Sequence, residues 1–260
     1  MRLQLLLILL FGVAASAQES TASKQVSTFE IDAPQSNVKK KIWIWLPKEY
    51  ASGDKKFPVL YMHDAQNVFD KKTSYAGEWE ADETLEQMDA QVIVVAIEHG
   101  NDKRIDELTP YKHEKYGGGN ADAYLEFLVK TLKPEIDKRY RTKPDVKNTA
   151  IMGSSLGGLV SFYAMLKHKD VFGKAGVFSP SFWFSKEIFT LADDVDLKDR
   201  KLFFLCGTKE DEQMVPDMEK MIEIVKRHHA KTQKKIMAYG KHNEKLWRDH
   251  FGEAVKWLFD

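Results

Sequence analysis

A serine lies among closely spaced glycines at residues 153–158, which read Gly-Ser-Ser-Leu-Gly-Gly. This stretch matches the pattern Gly-x-Ser-x-Gly, with Ser155 at its centre, after a run typical of a strand and before a run typical of a helix. A strand-to-helix turn of this kind holds a serine hydroxyl clear of the backbone, and the glycines relieve crowding. The pattern therefore predicts a nucleophile at Ser155 rather than an ordinary glycine-rich turn.

A serine hydroxyl is a weak nucleophile until a base takes its proton, so a histidine is needed. In hydrolases with such a turn, the order along the chain is serine, acid, histidine. Four histidines follow the candidate acids, and only His242 lies in a loop directly after a predicted strand. Loops at the carboxyl ends of parallel strands form the active sites of such sheets. We therefore predict that His242 is the base.

The acid that orients this histidine is expected just after the preceding strand. Residues 206–212 read Cys-Gly-Thr-Lys-Glu-Asp-Glu and offer three carboxylates, on Glu210, Asp211 and Glu212. Any of the three could orient the histidine and stabilise its cation. Spacing alone does not choose among them.

Backbone N–H groups are expected to hold the negative charge that develops on an attacked carbonyl oxygen. The N–H of Leu156, at the start of the predicted helix, is one candidate donor. The second donor in this arrangement comes from the loop after an early strand. In this sequence the N–H groups of Ala65 and Gln66 occupy that place.

Strands and helices alternate along the chain, and they would bring these groups together. Continuous apolar runs at 57–62 and 91–97 predict strands buried on both faces of a parallel sheet. Further strands are predicted at 27–31, 40–46, 148–152, 174–178, 202–206 and 236–239, and helices at 75–88, 121–132, 156–168, 214–228 and 246–259. This pattern predicts an α/β fold, with a mostly parallel central sheet flanked by helices on both faces. One domain is expected over residues 27–260.

The first 17 residues are typical of an export signal. Arg2 precedes an apolar run at 3–13, and Ala-Ser-Ala at 15–17 matches a cleavage site. The run is shorter than the roughly 20 residues of a membrane-spanning helix. We therefore expect a cleaved signal peptide at 1–17, a flexible segment at 18–26, no membrane anchor after cleavage, and a periplasmic or extracellular location.

Charge and cysteine content disfavour several classes of function. The 39 Lys and Arg residues balance 39 Asp and Glu residues, so nothing marks a nucleic-acid partner. Cys206 is the only cysteine, so no intrachain disulfide is expected, and its apolar neighbours predict a core position. His63 and Asp64 belong to no metal-binding motif. We expect neither a metal nor an organic cofactor, and no particular oligomeric state is predicted.

Four stretches of the chain resemble the "Putative esterase" family of α/β-hydrolases. They are 58–70, 153–158, 178–183, and 242–244 together with Trp247. The family includes feruloyl and acetyl-xylan esterases, enterobactin-type siderophore esterases and S-formylglutathione hydrolases. The resemblance runs from about Phe29 to the C-terminus and implies an α/β-hydrolase fold with serine carboxylic-ester hydrolase activity.

The resemblance also implies a catalytic triad. Carried onto this chain, it makes Ser155 the nucleophile, His242 the base and Glu210 the acid. Many relatives carry aspartate at the acid's place, so Asp211 stays an open alternative.

Further roles are implied for the groups that would surround the substrate. Leu156 and Ala65 would supply the two oxyanion donors. The family often has glycine where this chain has Ala65, which leaves the loop less free to adopt unusual backbone angles. Gln66 and Trp183 would line the substrate cleft by analogy.

The predicted reaction is acyl transfer to the serine, followed by release of the acid to water. Carbohydrate-linked acetyl or feruloyl esters are the first expected substrates, and a siderophore trilactone is the second. A feruloyl group needs a narrow apolar slot, whereas an iron-chelating tricatecholate needs a broad cationic cleft. Two alternatives are an acyltransferase and a non-catalytic binding module on the same fold. The retained serine, histidine and carboxylates disfavour the binding module.

Overall fold

An eight-stranded sheet forms the centre of the protein, whose computed structural model describes residues 19–260. The strands are β1 (Val26–Ala33), β2 (Val38–Trp45), β3 (Val59–His63), β4 (Ile93–Ile97), β5 (Thr149–Ser154), β6 (Lys174–Phe178), β7 (Lys201–Gly207) and β8 (Lys231–Met237). Their order across the sheet is β1-β2-β4-β3-β5-β6-β7-β8. β2 pairs antiparallel with β1 and β4, and all other neighbours are parallel. The predicted mostly parallel sheet is confirmed.

Helices cover both faces of the sheet, as predicted. They are α1 (Ala81–Gln87), α2 (Arg104–Leu108), α3 (Ala121–Glu126), α4 (Lys133–Arg139), α5 (Leu156–Lys167), α6 (Glu187–Asp193), α7 (Met214–Arg227) and α8 (Glu244–Phe259), with a π-helical stretch (Phe127–Leu132) between α3 and α4. Side chains alternate between the faces along each strand. One apolar cluster packs the sheet against α3 to α7, and a second packs it against α1 and α8.

The helix predicted at 75–88 is shorter in the structure, where α1 begins only at Ala81. The preceding residues hydrogen-bond to the loop after β3 instead of to each other. The N–H of Tyr75 donates to the Asn67 side chain, and the N–H of Trp79 donates to the Asn67 carbonyl. Residues 75–80 therefore form an irregular segment, and three of them, Tyr75, Ala76 and Trp79, line a cavity.

Part of the segment predicted to be flexible at 18–26 is hydrogen-bonded to residues after β3 and to α1. The Ser20 hydroxyl donates to the Asp70 carboxylate at 2.6 Å, and the Ser23 N–H donates to Asp82 at 2.7 Å. Val26 already belongs to β1. The predicted signal peptide at 1–17 lies outside the described residues. No helix within residues 19–260 is long and apolar enough to cross a membrane.

Candidate active site

Ser155 lies on a tight turn between β5 and α5. Its backbone angles, φ 59° and ψ −123°, are ones that residues other than glycine rarely adopt. The Ser155 N–H donates to the Phe178 carbonyl at 2.9 Å, and the Ser155 carbonyl accepts from the N–H of Ser181 at 3.2 Å. A side-chain carbon at Gly158 would lie 2.6 Å from that same Phe178 carbonyl, so only glycine permits this close approach. Neighbouring backbone therefore holds the strained turn in place.

His242 lies in the loop between β8 and α8, one residue before the helix cap. The Asn243 side chain accepts from the Leu246 N–H at 3.1 Å and fixes the start of α8. The Nδ1 atom of His242 lies 2.7 Å from the Oε2 atom of Glu210. An Nδ1–H that donates to a carboxylate leaves Nε2 of the ring able to accept a proton.

The carboxylate of Glu210 is fully buried behind this histidine. Its Oε1 atom accepts from the N–H of Gly207 at 2.6 Å and from the hydroxyl of Ser179 at 2.8 Å. The neighbouring acids make no such contact, because Asp211 accepts from the N–H of Gln213 and both Asp211 and Glu212 are exposed. Of the three candidate acids, Glu210 is the one that contacts the histidine.

Two serines after β6 support this arrangement, and the sequence reasoning assigned neither of them a role. Ser179 donates to Glu210 and accepts from the indole N–H of Trp247 at 2.9 Å. The Ser181 hydroxyl lies 3.3 Å from that of Ser155. Their position at the carboxyl end of a parallel strand is the signal that could have identified them.

Ser155 and His242 both line one cavity of about 700 Å³. The Ser155 hydroxyl has Ser181 as its hydrogen-bond partner and is not hydrogen-bonded to His242. Catalytic hydrogen bonds often shorten only in the complex with substrate, so this geometry is compatible with general-base catalysis.

The loop after β3 packs against the turn that carries Ser155. A side-chain carbon at Gly157 would lie 3.4 Å from both the Asp64 carboxylate and Cβ of His63. Asp64 adopts a left-handed conformation, and a short 3₁₀ helix begins at Ala65. The N–H groups of Ala65 and Leu156 donate to no acceptor within residues 19–260. Both are therefore available to a carbonyl oxygen.

Asp64 is held by the guanidinium of Arg104. Arg104 Nε donates to Oδ1 at 2.7 Å, and Arg104 Nη2 donates to Oδ2 at 2.8 Å, a bidentate pair. Burial alone would raise the pKa of Asp64, but the charge and hydrogen bonds of Arg104 outweigh burial and lower it. The carboxylate therefore stays ionised.

His63 is buried below this loop. Its Nδ1 atom lies 2.8 Å from the Tyr124 hydroxyl, and its Nε2 atom has no hydrogen-bond partner within residues 19–260. Burial lowers the pKa of His63 to about 4. The ring is therefore neutral at physiological pH.

Of the two residues expected to line the cleft, Gln66 lines the cavity and Trp183 does not. The Gln66 amide is hydrogen-bonded to the backbone of His99 at 3.2 and 3.3 Å. The 3₁₀ turn 182–184 buries the flanking phenylalanines and directs Trp183 outward, where its ring packs on His113 and Tyr116.

The cavity lining carries more acidic than basic groups. Arg104 is its one Arg or Lys, and Asp64, Asp102 and Glu244 are its carboxylates. Asp64 neutralises Arg104, and Asp102 and Glu244 have no ion-pair partner within residues 19–260. Burial raises the pKa of Glu244. Whether or not Glu244 is ionised, the lining has no net positive formal charge.

Residues 34–258 match the sequence profile of the family described as "Putative esterase". The chain belongs to this esterase family. It is accordingly a serine carboxylic-ester hydrolase.

Individual proteins are similar to this chain over most of its length. YbbA of Bacillus subtilis is 24% identical over 237 residues, which cover 85% of this chain and 92% of YbbA. An endo-1,4-β-xylanase/feruloyl esterase of Xylanibacter ruminicola is 26% identical over 227 residues, 83% of this chain but only 29% of that protein. The structure of siderophore hydrolase EstB from Aspergillus nidulans superposes with a TM-score of 0.72 at 18% identity, covering 91% of this chain and 96% of EstB.

The buried His63 predicts a specific loss of stability in acid. Between pH 6.5 and about pH 4, the unfolded chain binds a proton at His63 that the folded chain does not. The free energy of unfolding therefore falls as the pH drops through this range, by about 3 kcal/mol from this residue. Denaturant titrations at pH 7 and pH 4.5 should show a smaller loss for His63→Gln than for the wild type. Equal losses in the two proteins would contradict the lowered pKa of His63.

Proposed function

We propose that the protein is an exported esterase that cleaves its substrates through a triad of Ser155, His242 and Glu210. The observation that supports the triad best is the fully buried Glu210 carboxylate, 2.7 Å from Nδ1 of a histidine in the cavity that Ser155 lines. A buried carboxylate in this position selects the tautomer whose Nε2 accepts a proton and stabilises the imidazolium that forms.

In the first step, Nε2 of His242 takes the proton of Ser155 as the hydroxyl oxygen attacks the ester carbonyl. The N–H groups of Leu156 and Ala65 hold the resulting oxyanion, and loss of one such donor slows catalysis by about 10²- to 10³-fold. The intermediate collapses to an acyl-enzyme, and the alcohol leaves with the proton that His242 carried.

In the second step, water replaces the alcohol. His242 takes a proton from the water as its oxygen attacks the acyl carbonyl, and the same two N–H groups hold the second oxyanion. Collapse releases the carboxylic acid and returns the proton to Ser155. The balanced reaction is hydrolysis of one ester to one alcohol and one acid.

The proposed substrates are neutral acetyl or feruloyl esters of carbohydrates. A ferric tricatecholate is strongly anionic, and the cavity lining has no net positive formal charge to receive it. The one guanidinium is already paired with Asp64. The xylanase/feruloyl esterase relative supports a carbohydrate ester, and the signal pattern at 1–17 supports a site outside the cytoplasm.

The triad assignment predicts distinct losses of p-nitrophenyl acetate hydrolysis. Ser155→Ala should lower kcat by about 10⁴-fold or more, because no acyl-enzyme can form. Glu210→Gln should lower kcat by about 10³- to 10⁴-fold, because the wrong tautomer is favoured. Asp211→Asn is the matched control and should keep the wild-type rate. Wild-type activity in Ser155→Ala, or an equal loss in Asp211→Asn, would contradict the assignment.

The charge of the cavity predicts a preference among esters. We expect kcat/KM to be at least about tenfold higher for a neutral feruloylated xylo-oligosaccharide than for the anionic ferric complex of a tricatecholate trilactone, a difference of about 1.4 kcal/mol. Asp102→Lys should raise kcat/KM for the trilactone by about three- to tenfold at low salt. Glu223→Lys makes the same charge change on α7, away from the cavity, and should not. Preference of the wild type for the trilactone would favour a siderophore esterase.

A further inference from the structure

We propose that Arg104 is a positioning residue, whose ion pair with Asp64 holds the loop after β3 so that the Ala65 N–H faces the oxyanion. This inference rests on the proposed function, because it assigns a role to the same oxyanion site. It concerns how the backbone donor is kept in place, rather than direct contact of Arg104 with the reacting atoms.

The loop contains a conformation that needs support. Asp64 has φ 58° and ψ 46°, the left-handed region that side-chain-bearing residues adopt at a cost. Ala65 follows directly, so its N–H belongs to the peptide that Asp64 orients. If Asp64 relaxed to a right-handed or extended conformation, that N–H would point elsewhere.

The contacts of Asp64 provide that support. Both carboxylate oxygens accept from Arg104, at 2.7 and 2.8 Å, and the planar guanidinium fixes the orientation of the carboxylate. On its other side, the carboxylate faces Gly157, two residues after Ser155, where an added side-chain carbon would lie 3.4 Å from Oδ2. The ion pair thereby fixes the Asp64 carboxylate beside the turn that carries Ser155.

Arg104 belongs to a helix that is bonded to the sheet, so its position relative to the loop is fixed. It is the first residue of α2, and Glu107 of the same helix makes a buried ion pair with Lys40 of β2. Glu107 also accepts from the N–H of Gly100 at 2.9 Å. The guanidinium is therefore held by a short helix that is tied to the sheet.

The chain provides a matched control at Glu80. This residue is also left-handed, with φ 48°, and its carboxylate also accepts from an arginine, Arg248, at 2.6 Å. Neither Glu80 nor Arg248 lines the cavity that contains Ser155. Arg248→Gln thus removes the same type of support from the same type of backbone, away from the proposed oxyanion site.

The first test compares steady-state kinetics on p-nitrophenyl acetate, with thermal unfolding of each variant as a check on folding. Arg104→Gln should lower kcat by about 10- to 100-fold and change KM by less than about threefold, because a misplaced donor weakens only transition-state binding. Arg104→Lys should recover part of the loss. Arg248→Gln should keep the wild-type kcat. A raised KM with unchanged kcat in Arg104→Gln would overturn the proposal, because Arg104 would then bind substrate directly.

The second test asks whether backbone conformation is what the pair controls. Glycine adopts left-handed angles without support, so Asp64→Gly should retain far more activity than Asp64→Ala. In the Arg104→Gln background, Asp64→Gly should raise kcat by about tenfold. No gain in the double variant would overturn the proposal. If Arg104→Gln fails to fold, the comparison of kcat between Asp64→Gly and Asp64→Ala decides the same question, and equal kcat values would overturn the proposal.

The two proposals fail in different ways. Full kcat in Arg104→Gln together with an inactive Ser155→Ala overturns the positioning role and leaves the triad intact. Activity that survives in Ser155→Ala overturns the triad, and the oxyanion site with it.

Discussion

The buried carboxylate of Glu210 is the constraint on which the active-site geometry depends. An ionised group without solvent must be paired or hydrogen-bonded, or it destabilises the fold by several kcal/mol. Here the Gly207 N–H, the Ser179 hydroxyl and the His242 ring meet this requirement. These partners come from β7, from the turn after β6 and from the loop before α8. The Glu210 carboxylate is therefore hydrogen-bonded to three separate segments at the carboxyl end of the sheet.

The other half of the site contains a second ion pair, beside the turn that carries Ser155. Arg104 and Asp64 hold the loop after β3 against the turn after β5, two strands that are neighbours in the sheet. The strained backbone at Ser155 lies between these two supports. Its own hydrogen bonds to Phe178 and Ser181 extend from the adjacent strand β6. The proposed oxyanion loop, nucleophile and base thus follow the carboxyl ends of the parallel strands β3, β5 and β8, where open α/β sheets place their active sites.

Much of this arrangement was predictable, because it follows from local patterns. Apolar runs gave the buried strands, and the motif around Ser155 marked the strand-to-helix turn. The choice of Glu210 over Asp211 was not predictable from spacing, because adjacent carboxylates face different ways only once the loop has folded around Gly207 and Ser179. The helix predicted at 75–88 was too long, because the N–H groups of Tyr75 and Trp79 donate to Asn67 instead of lying within a helix. Hydrogen bonds outside regular secondary structure decided both cases.

The most direct test of the central claim is to map the serine that reacts with a fluorophosphonate. Three serines lie close together at this site. Ser154 and Ser155 both line the cavity, and the Ser181 hydroxyl lies 3.3 Å from the Ser155 hydroxyl. Peptide mapping by mass spectrometry after labelling should place one adduct on Ser155, and labelling should disappear in Ser155→Ala. An adduct on Ser154 or Ser181, or a folded wild type that does not label, would contradict the account.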